Sequence, residues 1–172
     1  MSTSVDDMWR WPPQPVRRDS PHPALSAISA RLCIGEYPRP EDLAWLATQH
    51  HITAVVSLQD DDDLVAKGID LEALRSAASA CGILFHRFPV ADCNPASLSA
   101  QLGPILRTLA LLDAAGHVIY VHCNAGLNRA PTVAIAHLHA RGGLDLERAC
   151  ALVKSRRACG PYMQLLHAYF GD

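Results

Sequence analysis

The stretch that decides the fold is VIYVHCNAGLNRAP, residues 118–131. It begins with apolar, β-branched and aromatic residues that are typical of a buried strand. Its last two residues, Ala130 and Pro131, open an apolar segment with the composition of a helix. A histidine, a cysteine, a glycine-containing loop and an arginine lie between the two. The spacing therefore predicts a strand ending at His122, a short loop, and a helix starting near Ala130.

The rest of the chain repeats this alternation of apolar strands and helices. Strands are predicted at 31–35, 52–58, 83–88 and 117–122, and helices at 39–50, 69–81, 98–114, 130–141, 144–157 and 162–170. This order predicts an α/β fold, with a central, mostly parallel sheet flanked by helices. The acidic run Asp60–Asp63 is predicted to be a solvated loop. Residues 1–24 are Pro-rich and are expected to form a disordered leader, so residues 25–172 make up the predicted folded domain.

Composition and charge exclude several classes of function. The chain has 172 residues, 49% of them hydrophobic, and a net charge of −2, so no basic surface for nucleic acid is expected. No apolar run is long enough for a membrane span, and the N-terminus lacks the pattern of a signal peptide. These features predict a soluble, cytoplasmic protein. The six cysteines form no Cys-x-x-Cys pair and the nine histidines are dispersed, so neither a metal nor a cofactor is expected.

Cys123 is the candidate nucleophile. Ligands of open α/β sheets bind beyond the carboxyl ends of the strands, where loops meet helix N-termini. A loop there can turn its backbone N–H groups inward and bind a tetrahedral oxyanion. Thiols at helix N-termini or near cations are acidified to roughly pKa 3.5–7.5, so Cys123 is expected to be a thiolate at neutral pH. The expected substrate-binding residues are those of the loop: Asn124, Ala125, Gly126, Leu127, Asn128 and Arg129.

A thiolate beside a site for a tetrahedral oxyanion suggests attack on phosphorus. Three other residues are then expected to have a role in this reaction. Arg129 can hold two phosphate oxygens with its planar guanidinium. Asp92 follows a predicted strand that ends at the same edge, where an acid could protonate the leaving alcohol and later activate water. Capping of a turn is the alternative role for Asp92. His122 is expected to support the loop by bonding to its backbone. The sequence thus predicts hydrolysis of phosphomonoesters through a phosphocysteine intermediate, with Cys123, Arg129 and Asp92 as catalytic residues.

The motif His-Cys-x5-Arg resembles the signature of the dual-specificity phosphatases. CNAGLNRAP, residues 123–131, is similar to the signature of the glucan phosphatases, the group of laforin and the plant starch phosphatases. VVSLQDDDDLVAKGIDLEAL (55–74), VADCNPASLSAQL (90–102) and VKSRRACGP (153–161) also resemble segments of that group, and the second places its acid on Asp92. The resemblance implies a dual-specificity phosphatase fold and a phosphorylated glucan or a phosphoprotein as substrate. A phosphoryl-binding pseudophosphatase or scaffold is the alternative.

Some positions depart from the pattern of that group. Ala66, Lys67 and Cys93 stand where the glucan phosphatases are expected to carry aromatic residues along the glucan channel. Ala130 lacks the hydroxyl that most members of the wider family have after the arginine, which suggests slow breakdown of the phosphocysteine. Cys93, next to Asp92, is a candidate partner for an oxidised Cys123.

Overall fold

The computed structural model describes residues 20–171. The strands of this region are β1 (Leu25–Ser29), β2 (Leu32–Gly35), β3 (Ala54–Ser57), β4 (Leu84–Arg87) and β5 (Ile119–His122). The helices are α1 (Leu43–Gln49), α2 (Asp61–Lys67), α3 (Leu71–Ala80), α4 (Pro95–Ala114), α5 (Arg129–Ala140), α6 (Leu146–Arg156) and α7 (Met163–Phe170). No helix within residues 20–171 has the length and apolar character needed to cross a bilayer.

The five strands form one sheet in the order β1-β2-β5-β3-β4. Strands β2, β5, β3 and β4 run parallel, and only the edge strand β1 is antiparallel to its neighbour. The prediction of an α/β fold with a mostly parallel sheet is confirmed. The central strand β5 is buried along its whole length, as its continuous apolar sequence requires.

Helices cover both faces of the sheet because successive side chains of each strand point to opposite sides. Ile119 and Val121 of β5 belong to a core formed with α4, α5, α6 and α7. Tyr120 of the same strand packs into a second core with α1 and α3. The sheet is thus the middle layer of three, and its strand ends are held from both sides.

Two elements differ from the sequence-based predictions. Strand β1 was not predicted, because the serines in LSAIS interrupt the apolar pattern of this half-exposed edge strand. The prediction that the acidic run is a solvated loop is wrong, since Asp61 starts α2. The side chain of Asp60 accepts the backbone N–H of Asp63, and the Asp63 side chain accepts that of Asp60. This reciprocal cap, with acids facing the positive end of the helix, explains why the run is helical.

The first 19 residues of the predicted leader lie outside the described residues. The imidazole of His22, just after them, stacks on the indole of Trp45 with 4.4 Å between ring centroids.

Three strands end together at one edge of the sheet. His122 at the end of β5 is in register with Gly35 of β2 and with Ser57 of β3. The loop 123–128 leaves from this edge and leads into α5. The fold therefore places Cys123 beyond the carboxyl ends of the parallel strands, as the sequence predicts.

Candidate active site

A pocket of about 390 Å³ lies at this edge of the sheet. Cys123, Arg129 and Asp92, the three predicted catalytic residues, all line it. The remaining lining residues come from α2, the loop 123–128 and the segment after β4: Asp62, Asp63, Ala66, Lys67, Cys93, Asn124, Ala125, Leu127 and Asn128. The structure thus brings together residues that are far apart in the sequence, such as Asp63 and Arg129, which are 66 positions apart.

A second depression, of about 400 Å³, lies at the other end of the sheet. Its charged groups are paired with one another, because buried Asp113 forms ion pairs with Arg31, 3.1 Å away, and with Arg141. It contains none of the predicted site residues, so we place no site there.

The peptide planes of the loop are fixed from outside. Each carbonyl from Asn124 to Leu127 accepts a hydrogen bond from another part of the chain: Asn124 O from Tyr37 N (3.1 Å), Ala125 O from Arg157 Nη2 (2.8 Å), Gly126 O from Arg157 Nε (2.7 Å) and Leu127 O from Gly160 N (2.8 Å). None of the described peptide bonds is cis. In a trans peptide the carbonyl and the following N–H point in opposite directions, so the N–H groups of residues 125–128 turn to the inner side of the loop. This is the arrangement of an anion-binding nest.

Gly126 is required by its backbone and by its neighbour. Its φ is +66°, in the left-handed region, and a Cβ atom here would lie 2.5 Å from the carbonyl carbon of Gly35. Only glycine lets the loop pass this close to the end of β2.

Arg129 begins α5 and is almost wholly buried, with 1% of its surface exposed. Its Nη1 donates to Oδ2 of Asp63 at 2.6 Å and to the carbonyl of Val90 at 2.7 Å. Its Nη2 lies 3.1 Å from Oδ1 of Asp92. Within the described residues, the buried Nε has no hydrogen-bond partner. The Nε and Nη2 edge of the guanidinium is therefore the edge left to hold two oxygens of a ligand.

The surroundings of Arg129 keep its charge in place. Burial alone would lower the pKa of this guanidinium, but its electrostatic interactions with Cys123, Asp63 and Asp92 and its hydrogen bond to Asp63 outweigh burial and raise it. A permanent buried cation that faces the pocket favours an anionic ligand.

Asp63 is the functional neighbour that sequence reasoning missed. Besides Arg129, its carboxylate accepts from Nδ2 of Asn124 at 2.6 Å, and Asn124 Oδ1 in turn accepts from Gln59 Nε2 at 2.8 Å. This chain of contacts joins the start of α2 to the loop of Cys123. An acid three residues after a capping Asp60 was the available signal, because that spacing predicts a helix start and not a solvated turn.

His122 has the contact that was expected of it. Its Nδ1 lies 3.1 Å from the carbonyl oxygen of Cys123, which accepts the hydrogen bond. Complete burial, together with the positive charge of Arg129, lowers the pKa of His122 to about 4, against the opposing effects of the Cys123 carbonyl and Asp63. His122 is therefore neutral near pH 7 and donates from Nδ1, which fixes the first peptide plane of the loop.

Asp92 and Cys93 form the other rim of the pocket. Oδ1 of Asp92 accepts the backbone N–H of Cys93 at 3.0 Å, and about half of the Asp92 side chain is exposed. Cys93 has a φ of +53°, unusual for a residue with a Cβ atom. Burial and the charge of Asp92 raise the pKa of the Cys93 thiol. The N–H of Cys93 and Nη2 of Arg129 both contact Oδ1 of Asp92. Oδ2 is therefore the oxygen left for a ligand.

Comparison with known proteins agrees with this geometry. Residues 34–168 match the family model described as dual specificity phosphatase, catalytic domain. The chain is 30% identical over 135 residues to the phosphoglucan phosphatase DSP4, amyloplastic, of Castanea sativa, covering 77% of this chain and 36% of that protein. It is 25% identical over 136 residues to the phosphoglucan phosphatase LSF1, chloroplastic, of Arabidopsis thaliana, covering 79% of this chain and 23% of that protein. The matched region thus spans about a third or less of these relatives.

The fold is also that of solved phosphatases. The active form of Tk-PTP superposes with a TM-score of 0.70 at 26% identity, covering 88% of this chain and 95% of that one. The range matched by the family model includes the cysteine loop and Arg129. The chain therefore belongs to the dual-specificity phosphatase family.

Proposed function

We propose that this chain hydrolyses phosphomonoesters through a covalent phosphocysteine, with Cys123 as nucleophile, Arg129 as phosphate ligand and Asp92 as acid and base. The observation that carries the proposal is the buried Nε of Arg129, which has no partner within the described residues and lies beside a loop whose N–H groups turn inward. An unpaired buried donor is costly, and an oxyanion in the pocket would satisfy it. The arrangement is thus suited to bind a phosphoryl group.

The reaction takes place in two displacements. In the first, Cys123 Sγ attacks phosphorus, the S–P bond forms, and the bond from phosphorus to the ester oxygen breaks as Asp92 gives that oxygen a proton. In the second, Asp92 takes a proton from water, the water oxygen attacks phosphorus, and the S–P bond breaks to return the thiolate. The N–H groups of residues 125–128 and the guanidinium of Arg129 stabilise the charge on the oxygens that stay with phosphorus.

Two substrate classes compete, and a different observation favours each. Phosphorylated glucan is favoured by the similarity to proteins named phosphoglucan phosphatases. A phosphoprotein is favoured by the pocket wall, where Ala66, Lys67 and Cys93 offer no flat ring on which a sugar could stack. Highly charged phosphoinositides fit less well, because Asn124 and Leu127 add no positive charge to the loop.

The chemistry is tested by hydrolysis of an aryl phosphate, with a metal chelator in one assay and with vanadate in a separate assay without chelator, because chelators also bind vanadate. We expect turnover that vanadate inhibits competitively, and that Cys123→Ser abolishes. Vanadate binding without turnover by the wild-type protein would instead support the phosphoryl-binding pseudophosphatase. Turnover that survives Cys123→Ser, or that requires added metal, would contradict the mechanism.

The substrate is tested by measuring phosphate release from solubilised phosphorylated glucan and from a panel of phosphopeptides at matched phosphate concentration. The class for which kcat/KM is at least tenfold higher is assigned as the substrate class. Ala66→Tyr is the informative variant, because an added ring on this wall should raise activity on the glucan and leave activity on the aryl phosphate within about twofold.

A further inference from the structure

Arg157 binds the loop of Cys123 on the side that faces away from the pocket. It directly follows α6 and is half-buried, and its side chain runs to the outer side of the loop. Nε donates to the carbonyl of Gly126 at 2.7 Å, and Nη2 donates to the carbonyl of Ala125 at 2.8 Å. One guanidinium thus binds two consecutive carbonyls that are more than 30 residues earlier in the chain.

The two bonds fix two peptide planes. Since the carbonyl and the next N–H of a trans peptide are opposed, holding the Ala125 and Gly126 carbonyls outward holds the N–H groups of Gly126 and Leu127 inward. Gly126 most needs such a restraint, because a glycine can rotate its peptide planes at little steric cost. Without Arg157, nothing in the described contacts of these two carbonyls would keep them out of the anion site.

Arg157 is itself fixed to the sheet. Its third nitrogen, Nη1, donates to the hydroxyl of Ser26 in β1 at 3.1 Å. The two donors to the loop carbonyls, Nε and Nη2, lie on one edge of the planar guanidinium, a fork that an ammonium does not offer. The side chain therefore connects the edge strand to the phosphate loop without touching the pocket itself.

We propose that Arg157 is a positioning residue for the phosphoryl site, which sets the orientation of the Gly126 and Leu127 N–H groups toward the transferred phosphoryl group. This inference rests on the proposed function, because those N–H groups matter only if the loop binds an oxyanion. The proposal distinguishes Arg157 from Arg129, which reaches the ligand directly.

The test uses Arg157→Met and Arg157→Lys, with Arg156→Met as the matched control. Arg156 is the adjacent, exposed arginine at the end of α6. We expect Arg157→Met to weaken vanadate inhibition and to lower kcat by about 10- to 100-fold each, as small misplacements of catalytic groups do. Arg157→Lys should fall between wild type and Arg157→Met, because an ammonium can bind one carbonyl but does not form the fork. Arg156→Met should behave as wild type.

Thermal unfolding of the same proteins separates positioning from simple stability. A merely structural Arg157 would lower the melting temperature but leave kcat and the vanadate constant of the folded fraction unchanged, and that result would overturn the proposal. If the wild type itself neither turns over nor binds vanadate, the proposed function fails. If the wild type is active and Arg157→Met matches it, only this inference fails.

A measurement on the wild type covers the case in which Arg157→Met does not fold. Amide resonances of residues 124–128 are followed while inorganic phosphate is added. The N–H protons of Gly126 and Leu127 should shift as they bond to the anion, together with those of their neighbours. Absence of a shift at these two amides, with shifts at the others, would overturn the proposal.

Discussion

Removal of the Asp63 carboxylate should destabilise the protein strongly, although this residue belongs to a run of four acids. Its side chain is buried and accepts charge-assisted hydrogen bonds at 2.6 Å from both Arg129 and Asn124. Asp63→Asn keeps the side-chain volume, but the NH2 group of the new amide must then face a donor, either the guanidinium of Arg129 or the amide of Asn124. It also leaves Arg129 with the half-exposed Asp92 as its only carboxylate partner among the described ion pairs.

Breaking a buried ion pair by removing one partner costs about 3–5 kcal/mol. We expect the lower end of that range, about 3 kcal/mol, because Arg129 keeps its bonds to Asp92 and to the carbonyl of Val90. For a domain of this size, each kcal/mol lowers the melting temperature by about 2–4 °C. Asp63→Asn should therefore melt about 6–12 °C below wild type.

The assay is urea denaturation with thermal melting, with Asp62→Asn as the stability control. Asp62 is the adjacent, exposed acid on the first turn of α2, so its substitution should cost only the helix-dipole contribution of one charge, about 0.3–1 kcal/mol. The same change is then made in an Arg129→Met background. There Asp63→Asn should cost far less, since the charge that it leaves unpaired is gone. An equal cost in both backgrounds, or a cost below about 0.5 kcal/mol in the wild type, would refute the assignment of Asp63 as the anchor of Arg129.

Three further changes test other parts of the site. Gly126→Ala places a Cβ atom 2.5 Å from the carbonyl carbon of Gly35, so we expect a loss of about 1–3 kcal/mol and of vanadate binding; unchanged inhibition would contradict the close approach. His122, with a pKa of about 4 against an ordinary 6.5, stays neutral in the folded state while it protonates in the unfolded chain. The contribution of neutral His122 to the free energy of unfolding is complete above pH 6.5 and is lost as the pH falls toward 4. The loss between pH 7 and pH 5 is about 2 kcal/mol. In His122→Gln the free energy of unfolding should lack this loss between pH 7 and 5. An identical pH dependence in variant and wild type would refute the lowered pKa of His122. Ala130→Ser restores a hydroxyl at the start of α5, and should raise the steady-state rate relative to the burst; identical profiles would show that the hydroxyl is not limiting here.

The local parts of the structure could be predicted from the sequence, and the contacts between distant segments could not. The strand of Ile119–His122, the loop of Cys123 and the helix of Arg129 are adjacent in the chain, so their order and composition were enough to predict them. The position of Asp92 could be predicted because it follows β4, a parallel strand that ends at the same edge of the sheet. The roles of Asp63 and Arg157 could not be predicted in this way.

The two missed residues show what local patterns leave out. Asp63 looks like part of a charged surface turn until the capping pattern places it on the first turn of α2, from which it reaches Arg129. Arg157 looks like the basic end of a helix, as favoured by the helix dipole, until the packing of α6 places it behind the loop of Cys123. Strand β1 was missed for a related reason, because an edge strand with serines is stabilised by its pairing to β2 and not by its own composition.

The central claim is that Cys123 forms a bond to phosphorus during turnover. The direct measurement is mass spectrometry of the Asp92→Asn protein after rapid reaction with an aryl phosphate, whose good leaving group needs no acid while the missing base slows hydrolysis of the intermediate. The account predicts one phosphoryl group on the peptide that contains Cys123, absent from the Cys123→Ser protein. Phosphate release without any phosphoryl group on that cysteine, or a phosphoryl group on another residue, would contradict it.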